Sequence, residues 1–280
     1  MGTLQNKIDF GVVFTVRMAN PNGDPLNGNQ PRVDYDGYGE VSDVCIKRKI
    51  RNRLQDMGER IFVQSDERKD DGCKSLKDRA DSCETLQDAK KKKDADLFAN
   101  IACEQWIDVR SFGQVFAFKG DPLSVGVRGP VSLQTAVSVQ PVEMSSMQIT
   151  KSVNSVTGDK KSSDTMGMKH RVDFGVYVFY GSINPQLAEK TGFSEEDSEK
   201  VKQAICTLFE NDCSSARPDG SMEIQKVCWW KHNCKSGQYS SAKVHSCLKV
   251  VLKEEAKSGR SIEDYDIRVE HLDGLEMEEL

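Results

Sequence analysis

Two groups of side chains in this sequence have the composition of a grip on phosphate. Asn20, Gly23, Asn29 and Arg32 lie in a segment dense in Gly, Pro, Asn and Asp, NPNGDPLNGNQPRVDYDGYGE (20–40), and Lys47, Arg48, Lys49 and Arg51 follow it. Glycine lets a backbone approach a phosphate closely, and Lys and Arg supply charge-assisted hydrogen bonds to its oxygens. A solvated helix face is the plain alternative for such a basic run; the adjoining Gly/Asn loop favours the phosphate reading. The second group, Lys151, Met166, Lys169 and Arg171, falls in and just beyond a polar, basic stretch with methionines at both ends, MSSMQITKSVNSVTGDKKSSDTMGMK (144–169).

Two other chemistries compete. Asp24, Asp34 and Asp36 offer oxygen ligands of the kind that hold Mg²⁺ for phosphodiester cleavage, but Asp34-Tyr35-Asp36-Gly37 departs from the calcium-loop pattern and acids are common in turns. Cys228, His232, Cys234, His245 and Cys247 carry zinc's preferred donor atoms. Their spacings, C-x3-H-x-C and H-x-C, match no standard zinc pattern, and a buried, inert thiol is ordinary at Cys228 in a strand. There is no G-x-x-x-x-G-K-[ST] or G-x-S-x-G, and histidine is scarce, with 4 in the chain. A non-catalytic binder without metal or other cofactor is the expectation.

The formal net charge of −5 argues against a nucleic-acid partner until the charge is located. Residues 41–60 carry six Lys/Arg against three acids and residues 144–171 carry five against two, whereas 254–280 carries three against ten. The acidity is therefore concentrated away from two basic segments. No apolar run reaches the length of a bilayer span, so no membrane partner is expected. Nine cysteines and no export signal lead to reduced thiols and a cytoplasmic location.

The elements that must position these residues follow from periodicity. Residues 8–18 alternate, with Ile8, Phe10, Val12, Phe14, Val16 and Met18 on one face and Asp9, Thr15 and Arg17 on the other, which predicts a half-buried strand. Ser42 or Asp43 caps a helix that carries Ile46, Ile50, Leu54 and Met57 and ends at Gly58. Residues 59–93 are charged without a sustained period and read as an inserted, partly mobile segment. Helical spacing returns at 94–106, and strand runs are expected at 109–118, 131–139, 171–180, 222–230 and 243–252. The 144–169 stretch reads as a protruding hairpin or loop turning at Thr157-Gly158-Asp159. Ser194 opens a helix through a capping box with Asp197. The acidic segment from 254 onward has no assigned place. This order suits an α+β, RRM-like (ferredoxin-like) fold with insertions. His170 to Tyr177 carries only part of the RNA-stacking motif of such folds: Asp173 stands where an aromatic belongs, so contacts through loops and the RNA backbone are expected in place of base stacking on the sheet.

Five blocks, NPNGDPLNGNQPRVDYDGYGEVSDVCIKRKIR (20–51), DVRSFGQVFAF (108–118), VRGPVSLQTAVSVQPVE (127–143), KHRVDFGVYVF (169–179) and SARPDGSMEIQKVCWW (215–230), resemble the guide-RNA-binding backbone subunit of type I CRISPR Cascade, the Cas-seven family, in its type I-C (Csd-two) form. The resemblance implies an RRM-like palm (1–58, 109–143 and 170–252), a helical insertion (59–108), a projecting thumb hairpin (144–169) and an acidic C-terminal tail (253–280). It implies a scaffold whose copies line up along one crRNA and present it to target DNA. Its other implied partners are the large, small and repeat-handle-binding subunits and a recruited helicase-nuclease. One of Met144, Met147, Met166 and Met168 would be the apolar wedge that kinks the guide.

Overall fold

The computed structural model describes residues 2–121, 123–151, 153, 157, 166–256 and 258–280. Strand β1 (Ile8–Ala19) runs into a loop holding β2 (Gly23–Asp24), β3 (Gln30–Pro31) and β4 (Tyr38–Val41), and then helix α1 (Asp43–Asp56). An inserted region follows, with α2 (Leu76–Asp81), α3 (Glu84–Lys92), α4 (Ala95–Gln105), α5 (Ile107–Phe112) and a hairpin of β5 (Gly113–Phe116) and β6 (Val125–Arg128). Next come β7 (Val131–Leu133), β8 (Ala136–Pro141), β9 (Met144–Thr150), β10 (Met166–Ile183), α6 (Pro185–Thr191) and α7 (Glu195–Cys206). The chain finishes with β11 (Met222–Lys231), α8 (Ser241–His245), β12 (Leu248–Leu252), β13 (Tyr265–Val269) and β14 (Glu276–Glu279).

A large antiparallel sheet organises the molecule, in the order β14-β11-β1-β10-β8-β4, with β7 and β9 also paired to β10. β1 lies inside it because it is the most continuously apolar stretch of the chain. It pairs with β10 from Ile8↔Ile183 to Ala19↔Val172 and with β11 from Ile8↔Lys231 to Val16↔Met222. On one face Phe10, Val12, Phe14 and Val16 pack with Ile46, Ile50 and Leu54 of α1 and Val201, Ala204 and Ile205 of α7. On the other, Val13, Phe174, Val176, Cys228 and Trp230 pack under α8, β12 and β13. Each large apolar side chain buried in this way contributes roughly 1.5–3 kcal/mol.

Both helices on the first face start as their sequences dictate. The Ser42 side chain accepts the Cys45 N–H at 3.2 Å, and Ser194 with Asp197 forms the reciprocal capping box. Gly58 takes φ +87° just after α1, a conformation that suits glycine.

The structure departs from the periodicity reading in several places, each for a long-range reason. β1 is buried on both faces up to Val16, not half-buried, because the C-terminal strands cover its second side; Asp9 is 0% exposed. Residues 59–93 are ordered: Phe62, Ala80, Leu86 and Ala89 join Phe98, Trp106, Phe116 and Val125 in a second core. That core runs past residue 108 into the β5–β6 hairpin. Its charges are internal fastenings, with Arg79 on Asp71 and Lys90 on Asp81 and Asp121. The run 109–118 is helix α5 and then strand β5, divided at Gly113, where a Cβ would lie 2.3 Å from the Val127 carbonyl oxygen. The run 131–139 is two strands, both paired to β10, separated at Gln134 and Thr135. The run 243–252 begins as helix α8, capped by Ser240, before β12. The acidic segment is also built in, since β13 pairs with β12 and β14 closes the sheet beside β11. The Thr157-Gly158-Asp159 turn lies outside the described residues, apart from Thr157.

Candidate nucleic-acid interface

The loop between β1 and α1 is a fixed shape. Asn20, buried to 3% exposure, donates from Nδ2 to the Asn29 carbonyl at 2.7 Å. A Cβ on Gly23 would sit 2.0 Å from Asn29 Oδ1, so a side chain there would displace the Asn29 amide. Asn29 itself holds φ +59°, and Asn22 Oδ1 accepts from both N–H and Oγ of Ser42, which ties the loop to the helix cap. Asn20, Gly23 and Asn29 thus shape the loop, while Arg32, paired with Asp24 at 3.4 Å, keeps its guanidinium partly exposed beside it.

Of the five cations on α1, the four expected to contact phosphate divide in two. Among the described residues Lys47 pairs with Asp43 alone, i,i+4 at 3.0 Å, a surface contact of the kind worth about 0–1 kcal/mol that a stronger anion can displace. Arg48 is half-buried and tied by Nη1 to the Val63 carbonyl; burial, and next the Arg51 charge, hold its guanidinium below the ordinary range. Lys49 is a different case. It is 4% exposed and its ammonium is taken by Asp212. Arg51 donates from Nε to the fully buried Asp108 at 2.9 Å and lies over the Phe112 ring. Lys49 and Arg51, expected to contact phosphate, are held within the protein, where they fasten α1 to the 212 loop and to the inserted region.

The hairpin of β9 and β10 places Met144 opposite Val172, Met147 opposite Lys169 and Met166 opposite Thr150. Met144, Met147, Met166 and Met168 are all about half exposed, at 40, 39, 54 and 55%. Arg171 donates from Nε to Ser145 Oγ at 3.1 Å, and Ser145 Oγ donates to Asp173 at 2.6 Å, so this arginine is anchored at the hairpin's base. Lys151 follows β9 on the same projecting arm. α1 with its loop and this hairpin are separate features of the sheet, joined through β10.

Sheet-face stacking is blocked. Phe174, Val176 and Tyr177 are 9, 1 and 0% exposed beneath the flanking layers, which leaves loops, helix and hairpin as the accessible basic surfaces. Several members of the competing ligand sets are engaged within the protein. Asp34 Oδ1 accepts the N–H groups of Asp36 and Tyr38, and Asp24 Oδ1 accepts that of Leu26. His232 Nδ1 accepts the Gln238 N–H, so its Nε2 carries the proton that bonds Asp9 at 2.9 Å. His245 Nε2 bonds the Gly181 carbonyl. Burial alone would raise the Asp9 carboxyl, but these imidazoles and the Lys7 charge hold it well below the usual carboxylate range. Among the described residues no group of three His, Cys, Asp or Glu side chains is arranged to hold a metal ion.

Two cations beside α1 were not singled out from the sequence. Arg68 donates to the Asn52 carbonyl, and Arg217 to Asp212 at 3.2 Å, each from a segment distant in sequence. The one local sign was the turn-forming composition around Arg217, SARPDG, which matches that of the 20–40 loop.

This architecture is a mixed α/β fold on a large antiparallel sheet. It is similar to one chain of a solved "CRISPR RNA-guided surveillance complex, pre-nicking", with a TM-score of 0.51 at 16% identity over 86% of this chain and 84% of that one. Residues 6–270 match the family described as CRISPR-associated protein Cas7, and the chain belongs to that family. A CRISPR-associated protein Cas7 of Haloferax volcanii is 26% identical to it over 294 aligned positions, covering 96% of this chain and 82% of the relative.

Proposed function

We propose that this chain is the crRNA-binding scaffold subunit of a type I-C Cascade surveillance complex. In this reading it has no catalytic role, its copies line up along the guide spacer in the cytoplasm, and together they present the guide for pairing with target DNA. The observation that carries this is the family match across residues 6–270. The five sequence blocks resembling the type I-C form support the subtype. The strand order β11-β1-β10-β8, with α1 and α7 on one face, supports an RRM-like palm. Lys47 and Arg48 on α1, Arg32 beside the loop, and Lys151, Lys169 and Arg171 on the hairpin are the phosphate contacts, and Met166 is a candidate wedge. None of these reads a base edge, as suits a subunit that accepts any guide and leaves sequence recognition to base pairing. The large, small and repeat-handle-binding subunits complete the assembly, and a recruited helicase-nuclease does the cutting. The engagement of Asp24 and Asp34 in their own turns favours this over metal-dependent RNA cleavage.

The test is to purify the chain from cells transcribing a repeat-spacer array and sequence the RNA it carries. Repeat-spacer transcripts are expected; RNA-free protein or unselected cellular RNA would overturn the assignment. Incubation of the complex with Mg²⁺ should leave guide and target RNA intact, and cleavage abolished by Asp24→Ala would instead make the chain a nuclease.

A further inference from the structure

Strand β11 is covered unevenly along its outer edge. Toward its C-terminal end β14 pairs with it from Lys231↔Glu276 to Cys228↔Glu279, and Val227 exchanges both main-chain hydrogen bonds with Leu280, at 2.8 and 2.9 Å. Upstream, Met222–Lys226 pairs with β1 on the inner side, and among the described residues no strand pairs with it on the outer side. The unpaired groups belong to Met222 and Ile224. Arg17 donates its N–H to the Ser221 carbonyl at 2.8 Å, so Ser221 and, two residues on, Glu223 turn their main-chain groups to β1, while Met222 and Ile224 turn theirs outward. Such a row of free N–H and C=O groups is a template for one more strand.

The space beside this edge is a groove of about 410 Å³, walled on its far side by the turn that follows α7. Its floor is apolar: Leu208 and Met222 are buried in the main core, and Phe209 and Ile224 are half-buried against it. Its rim is acidic. Asp219 and Glu223 are exposed, and among the described residues neither is paired with a Lys or Arg; Glu223 accepts from the Gln225 amide at 3.1 Å. At the Asp219 end, Ser221 Oγ is buried with no hydrogen-bond partner, a deficit that an incoming polar group removes.

These features select the occupant. A strand laid along Met222–Lys226 alternates its side chains between two faces. Met222 and Ile224 stand opposite Val16 and Phe14 on the core face, whereas Glu223 and Gln225 stand on the face of Thr15. Alternate residues of an added strand therefore lie over the apolar floor, and those between them lie beside Glu223. Apolar side chains suit the first set, and lysine or arginine the second. The same edge of a second copy fits poorly, because it brings another set of acids to an acidic rim.

We propose that the outer edge of β11 at Met222–Lys226 takes an extended segment of a partner protein, alternating apolar and basic residues, by strand addition. Main-chain hydrogen bonds supply the affinity, and the floor and the two acids supply the selection. None of the phosphate contacts named above lines this groove, and the inference does not depend on them.

The test uses the full chain and a fluorescent synthetic peptide of about seven residues, alternating valine with lysine and blocked at both ends. Anisotropy titration should show saturable binding, lost when glutamate replaces lysine. The Asp219→Lys/Glu223→Lys double variant should bind the lysine peptide about tenfold more weakly with an unchanged thermal midpoint, since both side chains are exposed. Main-chain pairing is read separately with two peptides N-methylated at alternate amides, one in each register. One of them should bind about tenfold more weakly than the parent, because N-methylation removes donors and keeps every charge. Hydrogen exchange should slow at Met222–Lys226 when the peptide is added and stay unchanged at Glu276–Glu279. The proposal is overturned by absence of saturable binding, by equal affinity of the parent and both N-methylated peptides, or by protection that falls outside Met222–Lys226. Faster exchange at Glu276–Glu279 would overturn it as well, by showing that the peptide displaces β14. Protection of Met222–Lys226 that grows with protein concentration alone would make a second copy the occupant and refute the peptide.

Discussion

The two basic segments have similar charge in the sequence and opposite fates in the structure. On α1, Lys49, Arg51 and Arg53 are spent on Asp212, Asp108 and Glu210, all far along the chain. On the β9–β10 hairpin, Lys169 and Arg171 stand on an arm where, among the described residues, Met144, Met147, Ile149, Met166 and Met168 are exposed and join no core. Cation density therefore measures two things at once, fastening and reach, and only burial and partner geometry separate them. The same run of Lys and Arg that suggests a phosphate grip is in large part a clamp between layers.

Removing the buried anion of the clamp should produce the largest effect. Asp108 is 0% exposed and accepts the N–H groups of Phe62 and Val63 as well as the Arg51 guanidinium. Asp108→Ala should lower stability by about 3–5 kcal/mol, the usual cost of stranding a buried partner. Urea unfolding measures it, and a loss below about 1 kcal/mol would show that the pair is not a clamp.

Lys49 and Lys47 give a direct contrast. Lys49→Ala should destabilise by about 1–3 kcal/mol, less than Asp108→Ala because Arg217 still faces Asp212, and should change RNA affinity only through folding. Lys47→Ala should leave stability within about 1 kcal/mol and weaken RNA binding uniformly across sequences. Paired denaturation and binding curves test both, and the reverse pattern would invert the division drawn here.

In the inserted region the comparison becomes a pH dependence. The Arg79 hydrogen bond holds the Asp71 carboxyl down to about 2. Since the unfolded value is near about 3.9, the stabilisation is complete above that pH and is lost as pH falls through about 2. Thermal midpoints should decline from about pH 4 downward, and Arg79→Gln should flatten part of that decline. The smallest effect on folding belongs to the hairpin: Lys169→Ala and Arg171→Ala should stay within about 0.5 kcal/mol of wild type. Each should still reduce the salt slope of RNA binding by about 0.7.

Local signals were readable where local physics decides. The Ser42 and Ser194 caps, the apolar stripe of α1, the end at Gly58 and the strand at β1 all follow from neighbouring residues. Hidden from the sequence were choices made by distant partners. Asp212 decides what Lys49 does and Asp108 what Arg51 does, while β13 and β14 turn an acidic segment into sheet. The core of the inserted region was hidden for the same reason: its apolar residues are few, and they close only when Phe62 meets Trp106 and Phe116. The loop's shape was foreseeable from Asn20, Gly23 and Asn29, but Arg68 and Arg217 reach the side of α1 from distant segments that no local signal joins to it.

The central position of β1 has a consequence for how the protein is made. Its first fully paired neighbours, β10 and β11, belong to the second half of the chain. At roughly 5–20 residues per second, a ribosome leaves this apolar strand without its partners for on the order of ten seconds. A nascent chain in that state is an open template for sheet aggregation, so the yield of soluble protein should depend on chaperone supply and translation rate far more than the stability of the finished fold suggests.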